Sequence, residues 1–205
     1  MIFHYASGTC SLGIRVILEE IGAPYQAVKV DFAKQEQYGP QFKEINRKSK
    51  VPVLRRDDGS VLTEFPAIAM WLALVHPDAK LVPSDPDRLA AVLEMMDYIV
   101  ATMHMQGFSR MFRPTNFSPN PADTDAVKQR GREIFDAGLR LIDEKLEGRE
   151  YLIGDYSIAD AALFYVTRWA STAKIELPKN CARHYAQMLA RPAVLRAVEA
   201  DGVAV

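Results

Sequence analysis

Cysteine is nearly missing from this chain. Two occur in 205 residues, Cys10 and Cys181, at opposite ends of the sequence. Thiols so placed form neither a disulfide framework nor a C-x-x-C redox pair, and four scattered histidines supply no ligand spacing, so no metal is expected. Blocks of one charge are missing too. Lys and Arg number 25 against 26 Asp and Glu, for a formal net charge of -1. Proteins that grip phosphate backbones concentrate positive charge, so nucleic acid is not an expected partner. The longest uncharged run, FPAIAMWLALV (65–75), falls far short of the ~20 residues that span a bilayer, which leaves no membrane partner and a buried helix instead. No basic leader followed by an apolar run opens the sequence, and with so few thiols the expectation is a reduced, cytoplasmic protein.

What is present is ample apolar material, 49% of residues, enough to core one large domain or two small ones. A change of texture favours two. MIFHYA (1–6) is a short β run. CSLGIRVILEEIG (10–22) spaces Leu12, Val16, Ile17 and Ile21 as on a helix, with Gly22 as its stop. YQAVKVDF (25–32) is a second strand with Tyr25, Ala27, Val28 and Val30 turned inward. VPVLRRDDGSVLTE (51–64) is a hairpin turning at Asp57-Asp58-Gly59, and Pro66 suits the first position of the next helix. The order β-α-β, hairpin, α predicts a small mixed sheet with helices on its faces. HPDAKLVPSDPD (76–87), with its three prolines, is a linker. Beyond it the apolar residues recur at helical spacing over 88–112, 124–146, 157–173, 183–190 and 193–200, which predicts an all-helical second domain.

Three short stretches carry candidate chemistry. Cys10 lies where a helix begins, after Gly8. Unpaired helix N–H groups and the positive end of the dipole favour a thiolate there, while cysteine as a small buried hydrophobe is the plain alternative. In KVPVL (50–54), Val51-Pro52 is a candidate cis peptide at a sheet edge, where the Val51 backbone can pair with an extended peptide-like ligand; an edge-strand terminator is the alternative. In LTEFPAI (62–68), Glu64 precedes a helix start. Its carboxylate suits an ammonium and the helix N–H groups suit an anion, against simple capping.

Together these stretches resemble the glutathione transferase superfamily, most closely its bacterial beta class with an active-site cysteine. YASGTCS (5–11) matches the family's Tyr-x-x-Gly-x-Cys-Ser start, INRKSKVPVL (45–54) its Val-Pro segment, DDGSVLTE (57–64) its hairpin, and YSIADAALFYVTRWA (156–170) its Ile-Ala-Asp-Ala helix. The resemblance covers essentially the whole chain. It implies a thioredoxin-like α/β glutathione-binding domain over 1–76, a linker over 77–87, and an all-α domain over 88–205 that supplies the electrophile site. It implies a cytoplasmic homodimer and a detoxification transferase that joins the thiol of glutathione to small hydrophobic electrophiles, with thiol-disulfide exchange through Cys10 as a second chemistry.

On this resemblance the glutathione sulfur lies near Cys10, with Tyr5 and Ser11 as alternative hydroxyl donors. The cysteinyl backbone of glutathione pairs with Val51 beside cis-Pro52, and its γ-glutamyl end meets Glu64 and the backbone of Phe65. Lys34 and Lys50 are candidates for the glycyl carboxylate, and Asp97 for a contact across the dimer. Tyr5, Phe108 and Trp169 line the electrophile site. Ser157 and Asp160 are a capping box and thus folding residues.

Two departures stand out. Phe65 replaces the usual Ser, Thr or Gly, removing a hydroxyl for the γ-glutamyl carboxylate. In DYIVATMHMQGF (97–108) the family's His-Lys pair has no lysine: one register puts His104 in the histidine position with an extra residue absorbed as a π-bulge, the other puts Met105 and Gln106 there. We take the first, which makes His104 a candidate catalytic group. The same departures support the rival reading, a catalytically weak glutathione-transferase-like binding protein.

Overall fold

A computed structural model describes residues 1–204. By internal contacts the chain divides into two compact units. Met1–Val82 and the residues from Met188 onward form one, and Pro83–Gln187 the other. The pattern places all of 88–205 in one helical domain; instead, residues from Met188 onward group with the sheet, because their helix packs on the first helix of the chain.

The first unit is built on a four-stranded sheet in the order β2-β1-β3-β4. β1 (Ile2–Tyr5) runs parallel to β2 (Gln26–Lys29) and antiparallel to β3 (Val53–Arg55), which pairs antiparallel with β4 (Val61–Thr63). A parallel pair needs a crossover, and α1 (Ser11–Ile21) supplies it. Leu12, Ile14, Val16, Ile17 and Leu18 are fully buried along it, and Gly22 ends it with φ 69°. The turn between β3 and β4 is carried by Gly59 at φ 82°, where the Arg56 N–H closes on the Ser60 carbonyl.

Side chains alternate across a strand, so the sheet has two coated faces. Phe3 and its register partner Leu54 are fully buried on one, with the Arg15 guanidinium of α1 over the Phe3 ring. His4 and Val53 lie on the other, against Phe42 of α2 (Pro40–Ile45), in a small core with Ala6, Val30 and Val51. β2 is shorter than the pattern predicts and Ala27 is exposed, since β2 is an edge strand; of the residues expected inside, Val30 is the buried one. α3 (Phe65–Val75) buries Ile68, Ala69 and Leu72, and Pro66 falls at its second position rather than its first. α9 (Pro192–Asp201) packs on α1.

The second unit is helical: α4 (Pro86–Asp97), a π-helical segment (Tyr98–Phe108), α5 (Ser109–Phe112), α6 (Thr124–Lys145), α7 (Ile158–Thr172) and most of α8 (Lys179–Leu189). α7 is its axis, with every residue from Ile158 to Val166 buried. The bulge expected near His104 is an eleven-residue π segment. At its end the Ser109 N–H reaches the His104 carbonyl five residues back, and Ile99, Met103 and Gly107 are buried at four-residue intervals, a slower winding than the α-helix.

α6 fits the π segment through its glycines. A Cβ at Gly131 would lie 2.7 Å from the Gly107 carbonyl and 2.6 Å from Arg110 Cβ; one at Gly138 would lie 2.6 Å from Met103 Cγ. Helix propensity favours Ala over Gly by about 1 kcal/mol. Met103 is fully buried and its Cγ lies close to its own backbone, so Gly138→Ala should cost about 1 kcal/mol net of the helix gain, and Gly131→Ala, which strikes backbone, about 1–3 kcal/mol. Urea unfolding of the two variants checks the contrast.

At the start of α7, Asp160 is fully buried. Its carboxylate accepts the Ser157 N–H at 2.9 Å, closing the capping box, the Leu152 N–H at 3.0 Å, and the Nε2–H of the buried His184 at 3.0 Å. Removing it strands several buried donors at once. We expect Asp160→Ala to lower unfolding free energy by about 3–5 kcal/mol; a loss below about 1 kcal/mol in the same measurement would mean that water replaces the carboxylate.

Candidate functional site

In the sheet unit, the segment from β1 to α1 places Cys10. The chain leaves β1 at Tyr5 and turns through Gly8 at φ 73°, a conformation glycine tolerates. The Thr9 hydroxyl donates to the Ala6 carbonyl at 2.7 Å and lies 2.9 Å from Ser11 Oγ, tightening the turn. Cys10 then takes the N-cap position of α1, half-buried, with its Sγ 3.7 Å from the Val51 carbonyl. The Val51-Pro52 peptide is cis, as the sequence suggests, and both residues are buried. Two of the three sequence motifs thus meet at one point, a thiol at a helix head beside the backbone that leads into β3.

The third motif lies across β3 and β4. Glu64 stands before α3 with φ 72° and ψ 129°, unusual for a residue with a side chain, and Lys48 Nζ bonds its carboxylate at 2.7 Å and the Thr63 hydroxyl at 2.8 Å. Phe65 follows at the first position of α3 with its ring in the core, 4% exposed. The Lys50 carbonyl is held by Asn46 Nδ2 at 2.8 Å. Lys34 is exposed and pairs with Asp31 at 3.6 Å; the backbone N–H of Lys34 is the first cause, with that of Ala33, holding the Asp31 carboxyl below its usual range. Ser11 is fully buried with its hydroxyl on Thr9. The Tyr5 ring stacks on Phe3 and carries the Arg15 guanidinium 4.0 Å from its centre.

In the helical unit a second set of expected residues converges. His104 Nδ1 lies 3.2 Å from the Tyr165 hydroxyl, and its ring meets Trp169 edge-on at 4.7 Å. Phe108 stacks on Trp169 at 4.5 Å and on Phe112 at 4.3 Å. Met105 and Gln106 are exposed, so of the two registers it is the one centred on His104 that turns into the aromatic cluster. Asp97 is the exposed last residue of α4.

Sequence reasoning missed four participants. Lys48, not a neighbouring lysine, reaches Glu64. Arg15, buried at 2% exposure, and Asp201, at 3%, face each other at 3.5 Å, and Asp201 also accepts the Gly8 N–H at 2.8 Å and, through its carbonyl, the Ser7 hydroxyl at 2.6 Å. A lone arginine amid the apolar residues of α1 was a signal of a buried ion pair. Its partner, 186 positions away, left none. Among the described residues no group of three or more His, Cys, Asp or Glu side chains is gathered as for a metal ion, and no helix is long and apolar enough to cross a membrane.

A four-stranded βαβ-hairpin-α sheet unit with a thiol at the head of α1 and a cis X-Pro before β3, joined to a helical unit, defines a two-part thioredoxin-like protein. Residues 8–75 match the family model described as glutathione S-transferase, N-terminal domain. The chain is 34% identical over 209 residues to glutathione S-transferase GstA of Escherichia coli O157:H7, covering 99% of this chain and all of that one. Its structure superposes with a TM-score of 0.91 on a glutathione transferase homologue from Sulfitobacter solved with bound glutathione, at 31% identity, covering 99% and 98% of the two chains. It superposes at 0.87 on the bacterial beta-class glutathione S-transferase of Sphingomonas chungbukensis, at 29% identity and full coverage of both. The chain belongs to the glutathione S-transferase superfamily, among its bacterial beta-like members.

The two thiols differ physically. Cys181 is fully buried, its Sγ against the Leu139 carbonyl at 3.5 Å; burial first, then the charge of Asp143, push its thiol up to about 12. A thiol raised that far keeps its proton at pH 8.5, and the thiolate is the nucleophile. Iodoacetamide at pH 8.5 should therefore label the native protein once, on Cys10, with Cys181 labelled only after denaturation. Peptide mass mapping reads both sites, and early labelling of Cys181 would contradict this.

Proposed function

We propose that the chain is a glutathione S-transferase whose glutathione sulfur is held beside Cys10. The observation that carries this is the half-buried Cys10 Sγ at the head of α1, 3.7 Å from the Val51 carbonyl at the cis Val51-Pro52 peptide. A cysteinyl backbone paired with Val51 sets its own sulfur toward that thiol. Helix-end N–H groups lower the cost of negative charge there, and the thiolate attacks an electrophilic carbon, forming a C–S bond as the leaving group departs or the double bond takes up a proton.

The other assignments follow the same line. Glu64 receives the γ-glutamyl ammonium, and the Phe65 backbone N–H its carboxylate. The Lys48–Glu64 pair is half-exposed on both sides. Such a pair is worth at most ~1 kcal/mol, so the carboxylate exchanges Lys48 for a ligand ammonium at little cost. The unusual backbone at Glu64 costs about 1–3 kcal/mol, which supports a site where carboxylate placement outweighs local comfort. Lys34 and Lys50 serve the glycyl carboxylate. In the helical unit Phe108 and Trp169 serve the electrophile, with His104 as a catalytic group, and the apolar stack of Phe108 on Trp169 suits a small hydrophobic substrate. Tyr5 is the alternative hydroxyl donor; Ser11, fully buried with its hydroxyl on Thr9, is not placed to serve. The protein works in the cytoplasm as a homodimer, with Asp97 reaching the glutathione of the partner subunit. The Sulfitobacter homologue's bound glutathione supports the ligand, and the bacterial relatives support the reaction.

Thiol-disulfide exchange is a second activity of the same site. Cys10 thiolate attacks one sulfur of oxidised glutathione, the S–S bond breaks, a mixed disulfide forms and one glutathione thiolate leaves. Incubation with oxidised glutathione should give one adduct by intact-mass spectrometry, absent in Cys10→Ser. If no adduct forms while an aryl halide is still conjugated, the thiol of glutathione is activated by Tyr5; loss of both adduct and conjugation would leave a binding protein on this fold.

A further inference from the structure

We propose that Asp201 is a positioning residue for Cys10, acting through the turn that delivers the thiol; the reading rests on Cys10 as the reactive group. Three contacts converge on this one residue. Its Oδ2 accepts the Gly8 N–H at 2.8 Å, its backbone carbonyl accepts the Ser7 hydroxyl at 2.6 Å, and its Oδ1 faces Arg15 Nε at 3.5 Å. Asp201 is 3% exposed and Arg15 2%. The last residue of α9 therefore grips both sides of the Cys10 position, the turn two residues before it and α1 five residues after it.

The mechanical consequence follows from where these contacts fall in the turn. Ala6 to Cys10 contains one glycine in the left-handed region, and bonds from Thr9 to Ala6 and from Ser11 to Thr9 shape it locally. Local bonds define the shape of the turn but not its height over β3. Gly8 N–H to Asp201 and Ser7 hydroxyl to Asp201 tie it to a distant part of the chain, across more than 190 residues of sequence. Arg15 transmits the same constraint to α1, and its guanidinium also covers the Tyr5 ring at the end of β1. A shift of this frame changes the separation of Cys10 Sγ from the Val51 carbonyl, and a misplacement of about 1 Å at a reacting group can cost up to ~100-fold in rate.

Asp201→Ala removes the side-chain acceptor; Asp201→Asn keeps an oxygen for Gly8 while losing the charge, and Ser7→Ala removes the second tie alone. The first readout is hydrogen exchange of the Gly8 amide together with the rate of Cys10 alkylation by iodoacetamide from pH 6 to 9. Both report thiol geometry whether or not glutathione is used. The second is the rate of the Cys10 adduct with oxidised glutathione. In folded protein at 20 °C we expect Asp201→Ala to deprotect Gly8, shift the alkylation profile and slow adduct formation about tenfold. Asp201→Asn should restore both rates to within about threefold of the parent, and Ser7→Ala should fall between. Unchanged Gly8 exchange and an unchanged alkylation profile in Asp201→Ala or, should that variant not fold, in Ser7→Ala would overturn the proposal. A parent protein that forms no adduct, yet shows the altered alkylation in the variants, would overturn the reading of Cys10 as glutathione's partner and leave the positioning role standing.

Discussion

A carboxylate taken out of water must be met by donors, because an unmatched buried charge costs several kcal/mol. Each unit of this protein is organised around one such group. In the sheet unit it is Asp201, which gathers α9, the turn before α1 and the buried Arg15. In the helical unit it is Asp160, which gathers the loop at Leu152, the start of α7 and His184 of α8. The apolar contacts around them would tolerate sliding by a fraction of an ångström; the carboxylates would not, because hydrogen bonds weaken steeply with distance and angle. Dispersion and area burial supply most of the stabilisation, while these two groups decide where the elements stop relative to their neighbours.

That division of labour bears directly on chemistry. A thiol at a helix head gains from the dipole only within the first turn, so its height matters as much as its identity. Gly8, free to take φ 73°, lets the chain turn sharply between β1 and α1, and the same freedom makes it a poor anchor by itself. Asp201 supplies what glycine lacks. At the other end of the proposed glutathione site the arrangement is opposite: Glu64 has an unfavourable backbone and a weakly held, half-exposed carboxylate. In that proposed site the sulfur end is the one held by buried contacts, where attack requires alignment. The γ-glutamyl end is exchangeable, where binding needs a carboxylate that can change partners.

Local motifs were legible in the sequence because each is enforced within a few residues. Cys10 after Gly8, the Val51-Pro52 bond, the Asp57-Asp58-Gly59 turn and the Ser157–Asp160 box can all be read from neighbours alone. The two-part architecture was legible for a similar reason, since strand and helix periods differ visibly. The pairing of Arg15 with Asp201 was not, because a buried ion pair across 186 positions has no period and no spacing rule. Residues beyond Met188 have a plain helical pattern, and nothing in an amphipathic pattern says which neighbour its apolar face will meet. Ala27 failed for the converse reason: alternation marks a strand, but only the sheet order reveals that the strand is an edge. Lys48 was hidden among Arg47, Lys48 and Lys50, where backbone turns at Ser49 decide which cation reaches Glu64.

The π segment shows how one extra residue can be absorbed without loss of direction. In an α-helix each step turns the chain by ~100°, so a residue added between His104 and Gly107 would turn Phe108 away from the face that carries His104. Wider winding spreads that rotation over eleven residues, and His104 keeps its contact with Tyr165 and Trp169 while Phe108 keeps its stack. The wider segment also needs room, and α6 provides it by placing Gly131 and Gly138 where a side chain would strike. The glycines of α6 and the winding at His104 thus fit one another sterically. A side chain at Gly131 would press on the Gly107 carbonyl and push α6 outward, and with it Phe135, which packs against both Gly107 and Phe108.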